Sequence, residues 1–227
     1  MDRDDPAYRG QADYSPGFLR IYDGLVLGLF ARFAWRMSTS EHVQLYREHI
    51  RPNHLDVGPG TGYFLEHADL PAGSAVTIVD PNPNVLRYVT RRLERLDVTA
   101  VEADVLKPLP MPGPFASAAL SGVIHCLPGP MERKAPAVEH IAGVLAPDGV
   151  FFGMTVLGQS ANHTWLGRWL LQAVNRRGTF DNLGDTAAGL RAILEPSFRE
   201  VHIRTDRATA TFVARQPIPR RASAVRP

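Results

Sequence analysis

The sequence predicts an α/β fold, a mostly parallel sheet with helices on both faces and an antiparallel C-terminal β-hairpin at its edge. Three observations predict it. After Pro52, short apolar runs alternate with amphipathic stretches; a glycine-rich turn follows the first run; and two strand-like runs close the chain in immediate succession. Alternating β and α units cover both faces of a sheet and favour parallel pairing. A connection of only two residues allows antiparallel pairing alone.

The elements follow in order. Residues 1–16 are polar with scattered Tyr and Pro and read as a loose arm. Leu19, Tyr22, Val26, Phe30 and Phe33 recur at helical spacing within 17–35, and Ser40 offers an N-cap for a second helix reaching about Ile50. Together, residues 1–51 make an N-terminal helical arm or lid. Strand candidates then run over His54–Val57, Ala75–Val79, Val98–Val101, Ala116–Ile124 and Gly149–Val156, separated by helical patterns near Gly62–Ala68, Asn84–Leu96 and Met131–Leu145. Trp165–Asn175 and Thr186–Leu194 read as helices. Phe198–Thr205 and Ala208–Ala214 read as the hairpin, joined by Asp206-Arg207. The α/β domain spans 52–215, and 216–227 form a basic, Pro-rich tail expected to be disordered.

Composition narrows the function. Of 227 residues, 44% are apolar and 21% charged, as in an ordinary globular chain. The apolar stretch Leu25–Trp35 is interrupted by Arg32 and falls short of the roughly 18 residues of a spanning helix. The polar start, Met1-Asp2-Arg3-Asp4-Asp5-Pro6, is not a secretory signal. A cytoplasmic location without a membrane partner is therefore expected. The single cysteine, Cys126, excludes an internal disulfide and a multi-cysteine metal centre, and no metal is expected. Net charge is +2, yet Arg215, Arg220, Arg221 and Arg226 all fall in the last thirteen residues. Without them 21 basic residues face 23 acidic ones, so no nucleic-acid partner is expected.

The sharpest motif is Leu55-Asp56-Val57-Gly58-Pro59-Gly60-Thr61-Gly62-Tyr63, where the first strand gives way to its crossover helix. A dinucleotide fingerprint requires G-x-G-x-x-G, but the sixth position from Gly58 is Tyr63; a P-loop requires Lys after the last glycine, and Tyr63 stands there too. The spacing D-x-G-x-G-x-G, with the strands and hairpin around it, resembles the class I S-adenosylmethionine-dependent methyltransferases. The resemblance covers about Asn53 to Arg215. It implies a Rossmann-like seven-stranded sheet whose strand–loop–helix wraps the methionine and ribose of the cofactor S-adenosylmethionine, with S-adenosylhomocysteine as product. A finer likeness, to small bacterial methyltransferases of secondary metabolism, rests on chain length, the Tyr-Asp of the arm and Ser121-Gly122-Val123-Ile124-His125-Cys126-Leu127-Pro128-Gly129.

Further residues stand in the family's order. Asp80, 18 residues after Gly62, ends the second strand, where a carboxylate accepts hydrogen bonds from ribose hydroxyls. Asp104 follows the third strand; the resemblance assigns it the adenine amino group and gives the Val105 amide a ring nitrogen. Leu145-Ala146-Pro147-Asp148-Gly149 resembles the family's helix–turn–strand signature, with Asp148 in place of its first glycine. The expected cofactor set is Tyr22, Asp56, Gly58, Gly60, Gly62, Asp80, Pro81, Asn82, Asp104, Val105, Ser121 and Gly122.

The sulfonium already makes methyl transfer favourable, so a base is needed only for a protonated acceptor. His125, after the fourth strand, is the candidate catalytic base, with capping or packing as the alternative; His163 is a second, lesser candidate. Residues 157–196, rich in Trp and Leu with Arg168, Arg176 and Arg177 interspersed, form the acceptor cover and suit an amphipathic or partly anionic small molecule. Cys126 lacks the Pro-Cys of cytosine-C5 methyltransferases and is read as a buried hydrophobe. The Asn/Asp-Pro-Pro-aromatic motif of amino-directed DNA methyltransferases is missing. A small-molecule methyltransferase is thus expected. Its alternatives are a protein or RNA methyltransferase, a cofactor-binding protein without methyl transfer, and a dehydrogenase. The oligomeric state stays open.

Overall fold

The computed structural model describes residues 38–219 apart from Ala161. The expected helix over 17–35, with Tyr22, and the tail from Arg220 onward lie outside the described residues. Helix α1 (Thr39–His49) opens the described chain. Its N-cap is Ser38, not Ser40: Ser38 begins the run Ser38-Thr39-Ser40-Glu41, a serine with an acid three residues on, and its hydroxyl accepts the Glu41 N–H at 3.3 Å.

The α/β units then follow as β1 (His54–Val57), α2 (Tyr63–Glu66), β2 (Ala75–Asp80), α3 (Pro83–Arg92), β3 (Asp97–Glu102), β4 (Phe115–Ala119), α4 (Met131–Gly143) and β5 (Leu145–Val156). Helices α5 (Trp165–Arg176) and α6 (Ala187–Leu194) precede the hairpin β6 (Phe198–Asp206) and β7 (Thr209–Pro217). The strands form one seven-stranded sheet in the order β3-β2-β1-β4-β5-β7-β6. β1 to β5 pair in parallel, and β7 inserts antiparallel between β5 and β6.

The fourth strand is shorter than its apolar run. It ends at Ala119, and Ile124–Cys126 form a 3-10 turn instead. Gly122, at φ 78°, turns the chain away after its N–H has bonded Met154 O at 2.8 Å. The apolar residues beyond it, Ile124 above all, remain buried without being strand. At the other end of the chain the tight link is Arg207-Ala208, one residue beyond the expected Asp206-Arg207, because Asp206 still pairs with Thr209; Arg207 has φ 53°.

The twofold alternation of strands divides the core between the sheet's two faces. Leu55 and Val57 pack with Val138 and Ile141 of α4 and with Leu190 and Ile193 of α6. Ile78 and Phe152 pack on the opposite face with Tyr46 of α1 and Val85 and Val89 of α3. β1 therefore turns His54 and Asp56 toward α1, and both are almost wholly buried. β6, at the sheet's edge, is largely exposed and carries Arg199, Glu200, His202, Arg204 and Asp206.

Lys134 interrupts the buried stripe of α4. Its Nζ lies 2.7 Å from Asp185 Oδ2 and 2.7 Å from Asp181 O, and the side chains of the pair are 0% and 1% exposed. Asp181 N donates to His125 O at 2.9 Å, and Asp181 Oδ2 accepts from Gly129 N at 2.7 Å. The segment between α5 and α6 is thereby clamped to the turn after β4. Removing one member of a buried pair strands the other charge, which costs about 3–5 kcal/mol. Asp185→Ala should lose about that much in denaturant unfolding, and Lys134→Met with Asp185→Leu should recover most of it. A stable Asp185→Ala would remove the pair from the fold's essentials.

Candidate active site

The parallel strands end together on one side of the sheet, and their order reverses direction between β1 and β4. Loops leaving such a point open a crevice. The crevice here is lined by Gly58 and Gly60 after β1, Asp80 and Pro81 after β2, Asp104 and Val105 after β3, and Gly122, Val123 and Cys126 after β4. Of the expected cofactor residues, Gly58, Gly60, Asp80, Pro81, Asp104, Val105 and Gly122 thus meet in one place. Asp56, Gly62, Asn82 and Ser121 stand beside it within the same turns. Tyr22 lies outside the described residues.

Two glycines show why the loop has this composition. Gly58 has φ 68°, and a Cβ there would sit 2.4 Å from Val123 Cγ2 across the crevice. Gly60 has φ 59° and nothing within 4 Å of the corresponding position, so it borders open space that a side chain would fill.

The two crevice carboxylates are held differently. Asp80 Oδ1 accepts the Asn82 N–H at 2.7 Å, while Asn82 Oδ1 accepts from Asn84 N at 2.9 Å and caps α3. Burial pushes the Asp80 carboxyl up to about 7, against the opposing pull of the Asn82 amide. Asp104 Oδ1 accepts the Leu106 N–H at 2.9 Å, and Lys107 Nζ lies 4.0 Å from Oδ2.

Behind the glycine loop lies a buried polar group that sequence reasoning did not assign. Tyr46 Oη donates to Asp56 Oδ2 at 3.1 Å, and His54 Nε2 lies 3.7 Å from the same oxygen. His54 Nδ1 is 2.7 Å from Ser117 Oγ. Burial, then the Asp56 charge, raises the Tyr46 hydroxyl well above its ordinary range, so it stays a donor. Among the described residues, Asp56 Oδ1 is buried without a hydrogen-bond partner. An orphaned acceptor of this kind, beside an open glycine turn and two carboxylates, fits the polar amino-acid portion of a nucleoside cofactor.

His125 is 5% exposed and lies behind the crevice wall. Its Nδ1 accepts the Val156 N–H at 3.2 Å and lies 3.2 Å from Thr155 Oγ1, which leaves the ring proton on Nε2. Phe180 packs on it at 4.2 Å between centroids. Burial, followed by the nearby Lys134 charge, pushes its pKa down to about 3. His163 sits apart, beyond β5, with Nε2 2.7 Å from Leu157 O. Burial pushes the Cys126 thiol up to about 12, an unreactive state.

Residues 55–153 match the family described as a methyltransferase domain. The chain is 41% identical over 191 residues to demethylluteothin O-methyltransferase of Streptomyces thioluteus, covering 83% of each protein. It is 35% identical over 215 residues to the physcion biosynthesis cluster O-methyltransferase of Aspergillus chevalieri, covering 93% of this chain and 97% of that one. Among solved structures, the N-methyltransferase NodS of Bradyrhizobium japonicum, crystallised with S-adenosylhomocysteine, superposes with a TM-score of 0.58 at 20% identity, covering 82% of this chain and 92% of that one.

Two outcomes follow from this geometry. Tyr46→Phe leaves Asp56 Oδ2 without its nearest donor, a loss of about 1–3 kcal/mol. It should weaken S-adenosylhomocysteine binding about tenfold or more, while methylthioadenosine, which lacks the amino-acid portion, should bind as before. Equal losses for both would place Tyr46 in the fold alone. Hydroxyl donors favour the ionised form of Asp80, so protonation opposes binding. With a pKa of about 7, S-adenosylhomocysteine affinity should fall about tenfold between pH 8 and pH 6. Asp80→Asn should flatten that dependence, and a wild-type profile without a slope would separate Asp80 from the ribose.

Proposed function

The chain belongs to the class I S-adenosylmethionine-dependent methyltransferases, and on that premise we propose that it methylates an oxygen of a small secondary metabolite. The observation that carries the reading is the crevice, where Asp80 and Asp104 flank an open glycine turn at the ends of adjacent strands. S-adenosylmethionine supplies an electrophilic methyl on a sulfonium. The protein's part is to hold donor and acceptor in line and to keep water out. Asp56 takes the amino-acid end, Asp80 the ribose and Asp104 with the Val105 amide the adenine. The choice of oxygen rests on the two O-methyltransferase relatives. No helix among the described residues is long and apolar enough to cross a membrane. Residues 157–196 serve in this proposal as the cover over the acceptor.

His125 enters this proposal as a positioning residue. Its acceptor nitrogen is engaged by Val156, and a ring of such low basicity takes no proton near neutral pH. It braces Phe180 against the end of β5, and the acceptor oxygen loses its proton to water or arrives ionised. A base role, expected from its place after the fourth strand, requires the ring to change partners.

The test is calorimetric titration with S-adenosylmethionine, S-adenosylhomocysteine and NAD, followed by methyl transfer to a panel of phenols, enols and amines. Micromolar binding of the two sulfur nucleosides with turnover on hydroxyl acceptors is expected; turnover on amines alone would overturn the choice of oxygen. His125→Asn, which can still accept from Val156, should keep kcat within about threefold. A loss of about 100-fold with a flattened acid limb of the pH profile would restore the base.

A further inference from the structure

Helix α5 buries one side and leaves large apolar groups on the other. Gly167 and Leu171 are buried, and Leu171 packs with Val156 and Ala208 and with the partly buried Leu170 and Phe180. On the opposite side Trp165, Trp169, Gln172 and Arg176 follow one another at steps of three and four residues, a single stripe along the helix. Trp165 is 78% exposed and Trp169 65%; Leu166 beside them on the helix, and Leu183 across the adjoining groove, are exposed as well. Lone apolar side chains on a surface are ordinary, but two neighbouring indoles with two leucines form a patch that marks a contact.

The charge on this face has one sign. No acidic residue stands between Asp148 and Asp181, a stretch that holds Arg168, Arg176 and Arg177. All three arginines are exposed, and among the described residues none of them makes an ion pair. A folded surface ordinarily intersperses both signs. Cations interleaved with indoles match a partner that is negative in its outer layer and apolar just beneath it, which is the layering of an anionic lipid surface. Tryptophan settles at headgroup depth, and guanidinium pairs with phosphate. A second copy of the chain would set arginine against arginine, and a nucleic acid would leave the leucines without a contact. The expectation of no membrane partner follows from spanning length, which a helix lying along a surface does not need.

We propose that the outer face of α5 docks the protein on an anionic lipid surface. Trp165 and Trp169 enter the headgroup layer, and Arg168, Arg176 and Arg177 pair with lipid phosphates. The groove beside this face shares no lining residue with the cofactor crevice, so the docking surface is independent of methyl transfer.

Flotation of the full chain with vesicles of phosphatidylcholine, alone or mixed with phosphatidylglycerol, tests this. The mixed vesicles should bind about tenfold or more tightly, shift indole emission to the blue and release the protein as salt is added. Arg168→Gln, Arg176→Gln and Arg177→Gln together should remove the preference for the mixed vesicles, at about fivefold per charge. Trp165→Ser with Trp169→Ser should abolish the blue shift. Both variants change exposed side chains and should keep the parent's thermal unfolding. Arg220→Gln, Arg221→Gln and Arg226→Gln, in the basic tail, should leave vesicle binding in place. Equal binding to the two vesicle types, or loss of binding through the tail variant and not the helix variants, would overturn the proposal. Displacement of the vesicles by duplex DNA would assign the face to nucleic acid, and a dimer that dissociates in the tryptophan variant would assign it to a second copy; either result also overturns it.

Discussion

The missing side chain of Gly58 is the constraint on which the cofactor crevice depends. At its φ of 68° a Cβ would lie 2.4 Å from Val123 Cγ2, closer than any tolerated contact. The loop after β1 can therefore press against the loop after β4, across the point where strand order reverses. That approach brings four strand ends into one crevice and makes residues far apart in sequence, Asp80, Asp104 and Cys126, share a wall. Any larger residue would need a left-handed backbone and would displace the Val123 side chain from the crevice wall.

Behind this contact the polar chemistry is graded by burial. Asp56 is almost completely enclosed and is kept in place by Tyr46, a hydroxyl whose own ionisation is suppressed. Asp80 is only partly covered and is balanced near neutrality between burial and the Asn82 amide. Lys134, fully enclosed, spends its charge on Asp185 and a carbonyl, and makes the neighbouring imidazole of His125 harder to protonate. The enclosed groups are thus fixed by their partners, while Asp80, raised by burial to about 7, lies in the crevice.

Much of this was legible in the sequence, and the reasons differ by element. β1, β2 and β3 are short apolar runs bounded by turn residues, so their limits fall within about a residue of the expected ones. The motif spacing locates seven crevice-lining residues because each lies at a strand end or within three residues beyond it. The apolar run overextends the fourth strand because burial, not pairing, explains Ile124, whereas Leu120 still donates its N–H to Phe152 O at 3.0 Å; apolar character alone does not distinguish a strand from a buried turn. Tyr46 was missed because its partner Asp56 lies across the turn at Pro52 and Asn53, and a tyrosine on a helical stripe reads as packing. Lys134 was missed for a similar reason: its partner stands 51 residues away, and local sequence carries no trace of the pairing. His125 was located at its place after β4, but the Val156 amide that claims its lone pair belongs to another strand.

The charged outer strand, β6, has a bearing on the chain's life before it is folded. An unpaired strand edge offers its backbone to any other β-prone segment, including that of a neighbouring nascent chain. Arg199, Glu200, Arg204 and Asp206 make such an encounter costly, because a second copy would have to bring ionised groups together along the new seam. The sheet can accordingly stop at seven strands, and the last-made hairpin closes the domain without inviting polymerisation.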